Sequence, residues 1–254
     1  MTSRIRLSSA GEGIQLVQID HPKSRNSLND ATYADLVDVL ERASKDPAIQ
    51  VLILSGTEKF FTAGNDLADF QTLTNSDASE VPGITFLRHL QSFNKPVVAA
   101  VEGFAIGIGS TLLMHCDFAF AGTSTRFSLP FVKLGLCAEG ATTCLLPRLA
   151  GSKGARELLM LGETFTADRA HVSGLLTTVV PDGEAKTHAI ECAEKLTRLP
   201  RESLLATKAL LQVEESNRVI AAFDREEKRF LELCRTEEAQ NAFATFFQSR
   251  KGPS

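Results

Sequence analysis

Apolar positions in this chain fall into short continuous runs separated by stretches at helical spacing. Ile5 to Leu7 and Ile14 to Ile19 read as two strands joined at Gly11 and Gly13, a hairpin that His21-Pro22 closes. After Asn29-Asp30, Tyr33, Leu36, Val37, Leu40 and Ala43 recur with helical period until Pro47. Val51 to Leu54, Val97 to Val101 and Phe118 to Ala121 are β-branched or small apolar runs of buried-strand length, and helical segments lie between them. Strand and helix in alternation predict a parallel sheet covered by helices. Thr85 to Phe93 predicts a helix and 71–83 a polar loop, while 134–151 predicts a loop leading into an apolar segment that Pro147 ends. Helices are predicted over 153–161 and 166–173, then a strand over Leu175 to Val180 and a turn at Pro181-Asp182-Gly183. From Ala185 on the pattern is helical, with breaks near Pro200 and Asn217 and one apolar stripe at Val219, Phe223, Phe230 and Cys234.

Lys95 to Asp117, KPVVAAVEGFAIGIGSTLLMHCD, combines these signals: a buried strand, then Gly103, Gly107 and Gly109, then an apolar helix over Ser110 to Cys116. Such a turn leaves backbone N–H groups unpaired at a helix start, where a developing oxyanion is stabilised. FTAGNDL, beginning at Phe61, repeats the arrangement, with Asn65 or Asp66 as cap. Two such turns can aim their N–H groups across one crevice at the carboxyl ends of parallel strands. Each donor to an enolate oxygen is worth on the order of 3 kcal/mol of barrier lowering.

Bulk properties narrow the classes. With 254 residues, 43% of them hydrophobic, the chain can bury a large core, and its net charge of −4 opposes a nucleic-acid or membrane-surface role. The five scattered cysteines predict reduced core thiols in a cytosol-like compartment, and the polar N-terminus predicts no secretory signal. His21, His89, His115, His171 and His188 lack metal-ligand spacing, and His115 is expected to be a satisfied core residue. Asp117 is expected to be structural, and Asp66 and Asp69 to be caps or rim residues. No dinucleotide, P-loop or G-x-S-x-G signature is present.

FTAGNDL, KPVVAAVEGFAIGIG, Cys116-Asp117 and FSLPFVKLGL followed by Glu139-Gly140 together resemble the crotonase (enoyl-CoA hydratase/isomerase) superfamily over roughly residues 10–250. The resemblance implies an α/β crotonase (ClpP-like) fold of repeated ββα units. A core domain would span 1–195 and a C-terminal helical trimerisation region 196–254. It implies an acyl-CoA thioester substrate, with coenzyme A as part of the substrate, no separate cofactor and no metal. It also implies a homotrimer or dimer of trimers in the cytoplasm. The backbone N–H groups of Asn65 and Ile108 fall on the oxyanion-hole positions. Backbone at Ala63, Asp66 and Leu67 falls on positions that contact the adenine and pantetheine, with Gly64, Gly107 and Gly109 among the substrate-binding positions. Arg250 and Lys251 either meet the CoA phosphates or form a solvated tail.

Hydratases of this superfamily hold water between two glutamates, and those positions here are Thr111 and Phe131. Neither transfers a proton, so hydration is disfavoured. Glu139 matches the single catalytic glutamate of peroxisomal-type Δ3,Δ2-enoyl-CoA isomerases, which serve fatty-acid β-oxidation. In its apolar setting of Cys137, Ala138 and Gly140 a raised proton affinity is expected. Hydration, hydrolysis, ring isomerisation and a non-catalytic acyl-CoA-binding role stay open beside isomerisation.

Overall fold

The computed structural model describes residues 4–66, 80–213 and 216–250. Nine strands form two sheets: β1 (Ile5–Gly11), β2 (Ile14–Ile19), β3 (Val51–Ser55), β4 (Val97–Val101), β5 (Phe104–Ile106), β6 (Phe118–Gly122), β7 (Arg126–Ser128), β8 (Thr164–Thr166) and β9 (Thr178–Val180). The larger sheet has the order β1-β2-β3-β4-β6-β9, and β5-β7-β8 make the smaller one. Only the β1–β2 hairpin is antiparallel in the larger sheet. The α/β crotonase architecture expected from the sequence is the one observed.

Alternation along the central strands divides the interior. Leu52 and Leu54 of β3 face the main core, whereas Val51 and Ile53 face the opposite side. There helix Ala185–Thr197 lays Ala189 and Ala193 flat on the sheet. The remaining helices are, in chain order, α1 (Asp30–Lys45), α2 (Pro82–Gln91), α3 (Ile108–Thr111), α4 (Thr142–Arg156), α5 (Ala167–Val172), then α6, the helix just named, α7 (Arg201–Val213), α8 (Ser216–Cys234) and α9 (Glu237–Arg250). Among the described residues no helix is long and apolar enough to cross a membrane.

Among the elements that differ from expectation, three do so for identifiable reasons. Helix α2 begins at Pro82 rather than Thr85, because proline suits the first helical position, where its missing N–H is not needed. Pro147 does not end a segment: α4 continues through it to Arg156 and breaks its geometry instead at Gly151, whose φ of 70° is not helical. The burial of Leu145 and Leu146 holds that turn against the lost hydrogen bond. β5 carried no sequence signal, being three residues long with Phe104 exposed.

Asp117 is structural: its Oδ2 accepts from Val97 N at 2.7 Å and from Lys208 Nζ at 2.6 Å, tying α7 to the start of β4. Lys208 Nζ also donates to Lys95 O at 2.8 Å. Lys208→Met removes the cation from a largely buried pair, and a loss of about 3 kcal/mol in urea-unfolding stability is expected. A variant as stable as the parent would mean that this pair does not hold the C-terminal helices to the core.

Candidate active site

Residues 61–66 and 104–108 run side by side. Phe61 N donates to Glu102 O (2.9 Å), Thr62 N to Phe104 O (3.0 Å), and Ile106 N to Thr62 O (3.1 Å). The first segment is held from its other side by the 25–28 loop. Ala63 N donates to Arg25 O, Leu28 N to Gly64 O and Asp66 N to Leu28 O. Asn26 fastens that loop: its buried Nδ2 donates to Ile19 O and Phe60 O, and its Oδ1 accepts from His21 N. Sequence reading missed Asn26, whose φ of 57° is one that asparagine tolerates better than most residues.

These bonds leave the backbone donors of Asn65 and Ile108 uncommitted. Ala63, Gly64 and Asp66 each donate within the protein, whereas the N–H of Asn65 has no acceptor among the described residues. Gly107 N donates to Ser128 O at 2.8 Å, and Ile108, the first residue of α3, also has no acceptor for its N–H among the described residues. Gly107 is the N-cap with φ 56° and ψ −120°, a conformation essentially restricted to glycine. Close approach also demands Gly64, because a Cβ there would lie 2.6 Å from Ile106 O. A Cβ on Gly83 would meet Ile108 Cδ1, Tyr33 Cζ and Asn65 Oδ1 together, so residues 65 and 108 border one space. The Tyr33 hydroxyl donates to Asn65 Oδ1.

A cavity of about 540 Å³ opens beside Asn65 and Gly107. Ala63, Gly64, Asn65, Asp66 and Gly107 line it. Opposite stand Phe131, Leu136 and, from the C-terminal helices, Phe230 and Ala242, with Arg25 and Lys133 also on the wall. Ile108, Gly109 and Glu139 are not among the lining residues, and the missing Cβ of Gly109 makes room for Thr62 Cγ2. Leu67, Asp69 and Lys251 lie outside the described residues, as does the side chain of Arg250.

Glu139 lies in the turn before α4, 2% exposed. Its backbone is pinned on both sides. Thr142 Oγ1 donates to Glu139 O at 2.6 Å, and His115 Nε2 lies 2.9 Å from Gly140 O. His115 is thus the satisfied core residue expected, with Nδ1 2.6 Å from Gln91 Oε1 and burial pushing its pKa down to about 4. The Glu139 carboxyl is pushed up to about 8, first by burial and then by the charge of Glu226, while the Thr111 hydroxyl opposes the shift. Thr111 lies one helical turn past Ile108, so the acid approaches the paired donors from the α3 side. Among the described residues Oε1 of Glu139 has no hydrogen-bond partner. An unpaired, poorly hydrated carboxyl beside Thr111 can exchange a proton with a carbon acid.

Glu226 on α8 was also missed, because it stands far along the chain from Glu139 and only the tertiary fold brings the two together. No group of three or more His, Cys, Asp or Glu side chains among the described residues is placed to hold a metal.

Comparison with known proteins agrees with this fold. Residues 9–253 match the family described as Enoyl-CoA hydratase/isomerase, and the chain belongs to that family, within the crotonase superfamily. It is 33% identical to 2,3-dehydroadipyl-CoA hydratase of Escherichia coli K12 over 95% of each chain. It is also 33% identical to 1,2-epoxyphenylacetyl-CoA isomerase of the same organism, over 87% of this chain and 86% of the relative. The structure of Pseudomonas aeruginosa OdaA superposes with a TM-score of 0.92 at 33% identity, covering 96% of this chain and 99% of that one. Hydratases and isomerases both occur among these relatives, so family membership establishes crotonase-type acyl-CoA chemistry and leaves the reaction to the residues of the site.

Proposed function

We propose that the protein is a Δ3,Δ2-enoyl-CoA isomerase acting in fatty-acid β-oxidation. The observation that carries this reading is the buried carboxyl at 139 with its raised proton affinity, while Thr111 and Phe131 supply no second acid. The thioester carbonyl accepts from the N–H groups of Asn65 and Ile108. Ionised Glu139 takes a proton from C2, and the electron pair moves onto the carbonyl oxygen as a dienolate. The same carboxyl returns its proton to C4, and the double bond moves from C3=C4 to C2=C3. Phe131, Leu136 and Phe230 make an apolar wall that keeps water from the dienolate. Arg25 and Lys133 supply positive charge to the same cavity, in keeping with an anionic CoA ester.

Addition of a 3-enoyl-CoA is expected to raise the absorbance of the conjugated 2-enoyl thioester, and addition of a 2-enoyl-CoA to yield little 3-hydroxyacyl-CoA. Rapid hydration with no isomerisation would refute the reading, and would return the protein to the activity that its hydratase relatives bear in their names.

A further inference from the structure

Glu226 is built into the turn that carries Glu139. Helix α4 starts after Ala141, which offers no capping side chain. Glu226 takes that role from α8: its Oε1 accepts from Thr143 N at 2.8 Å and from the Thr143 hydroxyl. Cys137 Sγ, on the other side of Glu139, lies 3.8 Å from Glu226 O, so α8 clasps the turn at both ends. Glu226 is 6% exposed, and like Glu139 it keeps one buried oxygen, Oε2, without a partner among the described residues. Burial pushes the Glu226 carboxyl up to about 6, while the donors at the start of α4 oppose the shift and favour its ionised form.

We propose that Glu226 is a positioning residue for the base: anchored on the start of α4, it holds negative charge against Glu139 and governs when that acid releases its proton. The inference rests on Glu139 being the base of the proposed reaction. Other ionisable groups around the turn do not take this role. Glu227 adds only the smallest push on Glu139 and is paired with Arg88 at 3.0 Å, and Arg229 is paired with Glu232 at 2.8 Å. His115 is neutral, and burial pushes the Cys137 and Cys234 thiols up to about 11 and about 12.

The test reads Glu139 directly. The carbonyl stretch of its protonated carboxyl is followed by infrared difference spectroscopy against pH, with Glu139→Gln as the subtraction reference. In Glu226→Gln, whose amide oxygen can still accept from Thr143, the midpoint is expected to fall by about one pH unit or more. Thr143→Val is the second variant, in case the first does not fold. It removes one donor from Glu226, raises that group's proton affinity and lowers its charge near neutrality, so a smaller fall is expected. A midpoint that stays or rises in a folded variant overturns the proposal, because a purely structural cap would leave it unmoved. The acid limb of the kcat/KM profile should move in the same direction. If the infrared midpoint falls while the parent protein isomerises no 3-enoyl-CoA, the proposed reaction fails and the coupling between the two acids stands.

Discussion

Glutamine in place of Glu139 is expected to lower turnover of a 3-enoyl-CoA by on the order of 10²–10⁴-fold, the usual contribution of a positioned acid–base group. The substitution keeps the size of the side chain and the backbone bonds from Thr142 and toward His115, so circular dichroism and substrate affinity should change little. Stability offers an independent check, because the folded carboxyl keeps its proton to about pH 8 against an ordinary 4.5. Between those values the folded state binds more protons than the unfolded one, so this group's contribution is intact below 4.5 and is lost as pH rises through 8. Glu139→Gln should therefore match the parent at low pH and exceed it above pH 8 by a few kcal/mol at most, on the order set by a shift of this size. Unchanged turnover would remove Glu139 from the chemistry. An unchanged pH dependence of stability would mean that the acid is not buried as described.

Gly64→Ala is expected to damage the site through the backbone. The new Cβ would lie 2.6 Å from Ile106 O, forcing apart the two segments that carry the N–H groups of residues 65 and 108. A displacement of about 1 Å at a reacting centre costs on the order of 10²-fold in rate. Gly64 also has φ of 85°, so a stability loss of about 1–3 kcal/mol accompanies the change. Gly183→Ala separates the two effects: its φ is 83°, yet a Cβ there meets nothing within 4 Å. That variant should lose stability and keep its kcat. If Gly64→Ala turns over substrate at the parental rate, the two donors do not define the carbonyl site.

Much of this was legible in the chain because its signals are local. The runs at 51–54, 97–101 and 118–121 are too apolar for anything but buried parallel strands, and they occupy adjacent places in one sheet. Glycines at 64 and 107 announce backbone held in geometries that other residues resist. The start of α2 and the passage of α4 through Pro147 were not legible, since each depends on burial and on position within the helix rather than on composition.

The sequence by itself determined the central strands of the larger sheet and the main helices between them, the glycine turns, and the presence of an acid at 139 without acids at 111 and 131, because residue type and spacing encode these directly. Tertiary structure decided that Asn65 and Gly107 line one cavity, that Asn26 fastens the loop beside them, and that Glu226 arrives from α8 to sit against the turn of Glu139. Those contacts join segments distant along the chain, and packing in three dimensions selects them.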